Sequence, residues 1–366
     1  MRKLLICLFV VLATPVFATT WQEANKASVA ALNAGKYNDA AALAQQAIDL
    51  YMALPTFKPE TYANLSLNLV DINLTRNDLN GAEETIDRAV KVLKQHGNGN
   101  PPALIAIYKQ RANLRMQEGN FKGASAAFLE AKAVAAANYG AADIRTTQFL
   151  MEIADLMKQV KGRTEARQYV DMAWSAVKAL PSNDDRRLYV EINQAKLELE
   201  SGHEDKAEPM YLSIIDRLRA KPRPDPVMLR AAVGQLAYIY IEDGREADAD
   251  RVIAYTSVLP YPTGAPEPIV RISARRTSAV RYAGKSGFAR IEFVVTAEGR
   301  VKDPKVTETN GNAAFTGMAL SSLRLWRFQP RAVNGVPVET PGMVINYVFS
   351  VENETPELGT RIRTSQ

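Results

Sequence analysis

Gly35-Lys-Tyr37-Asn-Asp-Ala40 decides how most of the chain is read, because it returns. Gly119-Asn-Phe121-Lys-Gly-Ala124, Gly202-His-Glu-Asp-Lys-Ala207 and Gly244-Arg-Glu-Ala-Asp-Ala249 again set a glycine five residues before an alanine. Asn77-Asp-Leu79-Asn-Gly-Ala82 keeps the frame with Asn in the glycine place, and Gly162-Arg-Thr-Glu-Ala166 is one residue shorter. The alanines Ala40, Ala82, Ala124, Ala166, Ala207 and Ala249 step by 42, 42, 42, 41 and 42 residues. Such a period means one supersecondary unit repeated, each copy burying its apolar face by stacking on its neighbours.

The unit reads as a helical hairpin. Gly or Asn takes the left-handed conformation that ends the first helix, and the aromatic two residues later is expected to seed the packing face of the second. The alanine lets helix backbones approach closely, and Ala47, Ala89, Ala131 and Ala173 follow on the same face seven residues on. This arrangement resembles the tetratricopeptide repeat family, with each repeat longer than the usual ~34 residues, so its helices should be about a turn longer. Six hairpins, hence twelve helices, are expected over 19–259. Pro55, Pro59, Pro101, Pro102, Pro181, Pro222, Pro224 and Pro226 fall between hairpins, and the last two repeats replace the second alanine with Ile214 and Thr256. The resemblance implies a groove for a peptide or a second protein. Asn64, Asn68, Arg111 and Asn113 lie on first helices, where they read as ordinary polar faces before they read as groove contacts.

Working outward to the start, residues 1–18 have the parts of a cleavable export signal: Arg2 and Lys3, an apolar run from Leu4 to Ala13, and Val16-Phe17-Ala18 with a small residue last. The run is shorter than the ~20 residues that span a bilayer. Cleavage after Ala18 and a periplasmic location are expected, the alternative being an inner-membrane anchor. Cys7 leaves with the signal, so the mature chain has no cysteine and therefore no disulfide, thiolate metal site or cysteine nucleophile.

Toward the other end, a proline-rich linker at 260–268 is expected to space the array from a different texture, by at most about 30 Å at ~3.1 Å per residue. Ala289, Ile291, Phe293 and Val295 alternate as a half-buried strand, Ala297-Glu298-Gly299 makes a turn, and Arg300 to Thr309 returns with Pro304 at an edge or irregular position. Phe315, Ala319, Leu320 and Leu323 have helical spacing, Trp326 and Phe328 are core, and Met343, Ile345, Tyr347, Phe349 and Val351 form a last strand after the Asn334-Gly335 turn. The fold class is thus multidomain: an all-α helical-hairpin solenoid, then a small α+β domain with an antiparallel sheet at 269–351, then a polar tail at 352–366.

Gly287-Phe-Ala-Arg-Ile-Glu-Phe-Val-Val-Thr-Ala-Glu-Gly299-Arg-Val301, Leu323-Arg-Leu-Trp326-Arg327-Phe328-Gln-Pro330 and Val344-Ile-Asn-Tyr-Val-Phe349 occur in that order. They resemble the strand, tryptophan-arginine-aromatic and closing-strand motifs of TonB C-terminal domains. The resemblance implies binding of an extended peptide of an envelope protein, such as a TonB-dependent outer-membrane transporter, by pairing on an edge strand. Val344, Asn346, Tyr347, Val348 and Ser350 are then the candidate peptide-binding residues on the edge, with Ser273, Arg275 and Arg276 on the preceding segment. Where members carry Tyr-Pro, this chain has Arg276-Thr277, and the Ser- and His-bearing membrane helix of energy transducers has no counterpart before Trp21. The alternative reading is a membrane-anchored energy transducer supporting transport across the outer membrane.

Little else carries chemistry. Ala279 to Ser286 lacks the first glycine of a phosphate loop and leads into a strand, and Gly123-Ala-Ser125-Ala-Ala127 lacks the closing glycine of a nucleophile elbow. His96 and His203, expected in solvent, have no ligand spacing around them. No catalytic residue, metal or cofactor is implied, and in Trp326-Arg327-Phe328 the two aromatics, Trp326 and Phe328, read as core rather than as part of a nucleic-acid patch. The formal charge of +5 falls to +3 without Arg2 and Lys3, and residues 265–351 hold twelve Lys/Arg against six Asp/Glu. That surplus suits a solvated surface before a specific anionic partner.

Overall fold

The computed structural model describes residues 20–99, 101–273, 287–310 and 313–349. The chain divides into two compact units, Met1–Ala176 and Val177–Gln366, so the last two hairpins group with the C-terminal residues.

The first unit holds four hairpins: α1 (Trp21–Asn33) with α2 (Tyr37–Met52), α3 (Pro59–Thr75) with α4 (Leu79–His96), α5 (Ala103–Gln117) with α6 (Phe121–Tyr139), and α7 (Ile144–Val160) with α8 (Arg163–Val177). Thr20 starts α1 through a reciprocal cap in which its hydroxyl accepts from the Glu23 N–H and the Glu23 carboxylate accepts from the Thr20 N–H. The turn residues Gly35, Asn77, Gly119 and Gly162 all sit at positive φ, Asn77 at 61°. In the full-length turns the residue after the glycine or asparagine donates back over the helix end, as Asn120 N does to Arg115 O at 2.8 Å. In the shortened fourth turn Gly162 itself makes that bond, to Met157 O at 3.0 Å.

Ala40, Ala82 and Ala124 are fully buried and Ala166 is 1 % exposed, with Ala47, Ala89, Ala131 and Ala173 buried behind them. The aromatic after the turn does not seed the packing face. Tyr37 and Phe121 are 41 % and 37 % exposed. Each is the first residue of its helix, at the rim, and burial begins with the alanine three residues on.

The second unit starts with α9 (Asp185–Glu200) and α10 (Glu204–Arg219), then α11 (Pro226–Glu242) and a shortened α12 (Glu246–Ile253) that runs into a 3-10 turn, Ala254–Val258. Gly202 and Gly244 turn these hairpins at positive φ. Ile214 and Thr256 are buried where earlier repeats have alanine. After them come β1 (Glu267–Val270), β2 (Gly287–Val295), β3 (Val301–Thr309), α13 (Ala313–Arg324), β4 (Arg327–Gln329), β5 (Ala332–Val333), β6 (Val336–Pro337) and β7 (Thr340–Phe349).

β2 pairs antiparallel with β3 on one side and β7 on the other, β1 pairs with β4, and β5 and β6 form a hairpin around Asn334 and Gly335, both at positive φ. On β2, Ala289, Ile291, Phe293 and Val295 are buried, as are Met343, Ile345 and Tyr347 on β7 and Phe315, Ala319 and Leu323 on α13. Gly299 is needed at the β2–β3 turn: its φ is 82°, and a Cβ there would stand 2.0 Å from the Phe328 carbonyl oxygen.

The proline-rich segment does not act as a spacer. Glu267 and Pro268 pair with Gln329 and Phe328, and the backbone at Ile269 lies so near α11 that a Cβ on Gly234 would stand 2.7 Å from its carbonyl oxygen. One hydrophobic core runs from Leu229, Val233 and Ile253 through Val270 to Phe293 and Trp326. The physical reason is that Ile269 and Val270 follow the prolines directly, and burying them draws the chain onto the helices.

Candidate functional site

β7 lies at one end of the order β3-β2-β7, so one of its backbone edges has no strand partner among the described residues. The opposite edge is blunted. β3 carries Pro304, which lacks an N–H, its pairing with β2 shifts register twice, Asp303 sits at φ 49°, and α13 packs against it. β7 is regular from Met343 to Phe349, in register with Phe293 to Gly287. Of the two edges, only β7 presents a continuous row of main-chain donors and acceptors.

Side chains alternate along it. Val348 is 60 % exposed, while Val344 and Asn346 are half-buried and stand opposite Glu292 and Arg290 on β2. Tyr347 points the other way, into the core, and is 4 % exposed, so of the expected contact residues it can offer a ligand only its backbone. Its hydroxyl lies 3.3 Å from Ser322 Oγ, and burial pushes the phenol up to about 12. Ser322 Oγ and Trp326 Nε1 both donate to the Ile272 carbonyl, at 2.5 and 2.9 Å. Ser273, exposed, follows that clamped carbonyl, so a buried polar network ties it to the inner side of β7. Arg275, Arg276 and Ser350 lie outside the described residues.

Arg327 was legible only as part of a motif, and its partners were not legible at all. Its side chain is 2 % exposed; Nε donates to Asp250 Oδ1 at 2.7 Å and Nη2 to Glu246 Oε2 at 2.9 Å, while Nη1 reaches the carbonyls of Arg324 and Trp326. Arg300 holds the other Asp250 oxygen. A second tie runs from Arg230 on α11 to Gln329 Oε1 at 3.0 Å and Glu267 Oε2 at 3.2 Å. The one signal available was Glu246 and Asp250, two acids four apart on a last helix, which a helix face in solvent would equally show.

Three of the four candidate groove residues of the repeats are engaged internally. Asn68 donates to Asn25 Oδ1 at 2.7 Å, Asn113 to Gln110 Oε1 at 3.4 Å, and Arg111 pairs with Asp87, with Asn64 exposed. The histidines have neighbours: His203 Nδ1 lies 2.7 Å from Glu198 Oε2, and the His96 ring stands 5.1 Å from that of Phe57. No helix among the described residues is long and apolar enough to cross a membrane.

Residues 278–351 match the family model of the Gram-negative bacterial TonB protein C-terminal. The described part of the TonB-type domain therefore comprises β2 through β7, with β1 and α11 packed onto it from outside the matched span. A comparison with curated proteins gives no match. Among solved structures, the chain is similar to BtubC (BKLC) from P. vanneervenii, at 17% identity and TM-score 0.43, covering 71% of this chain and 97% of that one. It is also similar to a tetratricopeptide repeat protein from Parabacteroides merdae, at 18% identity and TM-score 0.39, covering 67% and 82%. The assignment of tetratricopeptide-like hairpins stands on this chain's own helix boundaries and turn geometry.

Proposed function

We propose that this chain is an exported adaptor of the cell envelope. Its TonB-type domain, over 269–351, binds an extended peptide segment of an envelope protein, such as a TonB-dependent outer-membrane transporter, and its repeats recruit a second protein. The peptide adds as a strand along β7: main-chain pairing supplies affinity, and Val344, Asn346 and Val348 supply selectivity through alternate side chains.

The observation that carries this reading is the regular edge of β7, which has no strand partner among the described residues, in a domain whose other edge is blunted. The match of residues 278–351 to the Gram-negative bacterial TonB protein C-terminal family supports it. Export after Ala18 is consistent with the helix start, since Thr20 and Glu23 supply the cap of α1 without any residue before them.

The test is site-specific photo-crosslinking in the envelope of the producing cell. A photoreactive residue at Val348 is expected to capture one extended segment, sequenced by mass spectrometry, and one at Thr307 on β3 to capture none. Equal capture at both positions, or none at Val348, overturns the reading. The N-terminus of the mature protein separates the two versions of it. A start at Thr19 supports a released adaptor, and retention of residues 1–18 supports the membrane-anchored energy transducer.

A further inference from the structure

Away from the β7 edge, the second unit holds a cavity of about 420 Å³ beside α12 and the β2–β3 turn. Its lining includes two buried apolar residues, Ile253 and Phe328, which are 6 % and 1 % exposed, and Pro330. Tyr261, half-buried, contributes an aromatic wall. The charged groups at its margin differ in how far they are occupied. Asp250 has both oxygens taken, one by Arg327 and one by Arg300. Glu298, exposed on the turn, makes no ion pair among the described residues, and a hydrogen bond from the Thr296 hydroxyl holds its carboxyl below its ordinary value. With Asp250 and Arg300 cancelling, Glu298 leaves the wall one negative charge.

These features select a ligand. An anion would meet two carboxylates, Asp250 and Glu298, against the single cation Arg300, which Asp250 already holds. A wholly apolar group would cover the carboxylate and strip its water without replacing it, which costs free energy. A long apolar stem ending in a cation satisfies both parts, and among side chains that describes lysine and arginine, which bury the stem and keep the head at a polar rim. Arginine has the further advantage of stacking its planar guanidinium on an aromatic ring such as Tyr261.

We propose that this cavity receives an arginine or lysine side chain of a polypeptide partner, with the aliphatic stem over Ile253 and Phe328 and the cation at Glu298. The site is separate from the β7 edge and does not depend on it. It gives the chain a second, charge-selective contact on the same unit, beside the helix that holds Arg327.

Saturation-transfer NMR on the full mature chain tests this, with N-acetyl-arginine methylamide and N-acetyl-lysine methylamide as probes and the norleucine and glutamate analogues as comparators. Saturation is expected on the side-chain methylenes of the two basic probes and to be weaker by roughly threefold or more for the comparators, the difference one exposed ion pair makes. Glu298→Gln is expected to bring the basic probes down to the norleucine level, and Ala254→Trp, which fills the cavity from its helical wall, to abolish the signal of all four. An unchanged unfolding midpoint of both variants certifies the fold, and Val348→Pro leaves the signal intact. Equal saturation by norleucine and arginine, insensitivity to either substitution, or no saturation from the basic probes overturns the proposal.

Discussion

The Arg327 guanidinium donates to the Asp250 carboxylate at 2.7 Å although 77 residues separate them, and it does so from a side chain only 2 % exposed. Asp250 and Glu246 belong to α12, the last helix of the repeats, and Arg327 to β4 of the TonB-type domain. A buried guanidinium is tolerated only when its donors are met, and here two carboxylates and two backbone carbonyls meet them. The domain is therefore not a free module behind a spacer. It shares a core and an ion pair with α11 and α12, so the sheet that carries β7 is packed on helices as well as on its own domain.

Replacing Arg327 with Met keeps the stem and removes the fork, leaving Glu246 without its partner and Asp250 with Arg300 alone. Stability is expected to fall by about 2–4 kcal/mol. In a double-mutant cycle with Asp250→Asn, followed by urea unfolding, the coupling is expected to exceed about 1 kcal/mol. Additive single and double variants would show that the pair contributes nothing.

Within the repeats, the small buried residue matters and the aromatic at the rim does not. Ala124, fully buried, has no room for growth, so Ala124→Leu is expected to cost about 1–3 kcal/mol in urea unfolding. Phe121→Ala, at a position 37 % exposed, is expected to cost under about 1 kcal/mol. The reverse order of costs contradicts the packing described.

Tyr347 makes a pH prediction. Burial raises its phenol from an ordinary value of about 10 to about 12, so the folded state holds this proton after the unfolded state has released it. Its contribution to stability is complete below about pH 10 and is lost as pH rises toward about 12. Absorbance titration at 295 nm is expected to show one fewer late-titrating phenol in Tyr347→Phe. An unchanged late phase would mean that Tyr347 titrates as an exposed phenol.

Much of this was legible from the residues, and the reasons are local. A glycine or asparagine before an alanine at a fixed spacing specifies a left-handed turn and a close helix contact, and Asn77 takes a positive φ like its glycine counterparts because asparagine tolerates it. Alternation placed the inward residues of β2, and Met343, Ile345 and Tyr347 of β7, correctly for the same reason, since each depends only on its neighbours along the strand. Tyr347 follows that alternation too, and belonged with the core rather than with the contacts. What depends on distant chain was hidden. Nothing near Arg327 indicates that Asp250 will meet it, and nothing in the prolines of 260–268 indicates that the next two residues will bury against α11. That no described strand pairs the outer edge of β7 is of the same kind, because it depends on which strands reach it.

The most direct test of peptide addition to β7 is amide hydrogen exchange on the purified chain from Thr19 onward, free and saturated with decapeptides selected from a random library for binding to it. A peptide added as a strand is expected to slow exchange by roughly tenfold or more in Thr340–Phe349, with Val301–Thr309 unchanged and with both binding and protection lost in Val348→Pro. Protection confined to β3 or to the helices, or binding that survives Val348→Pro, would contradict the account.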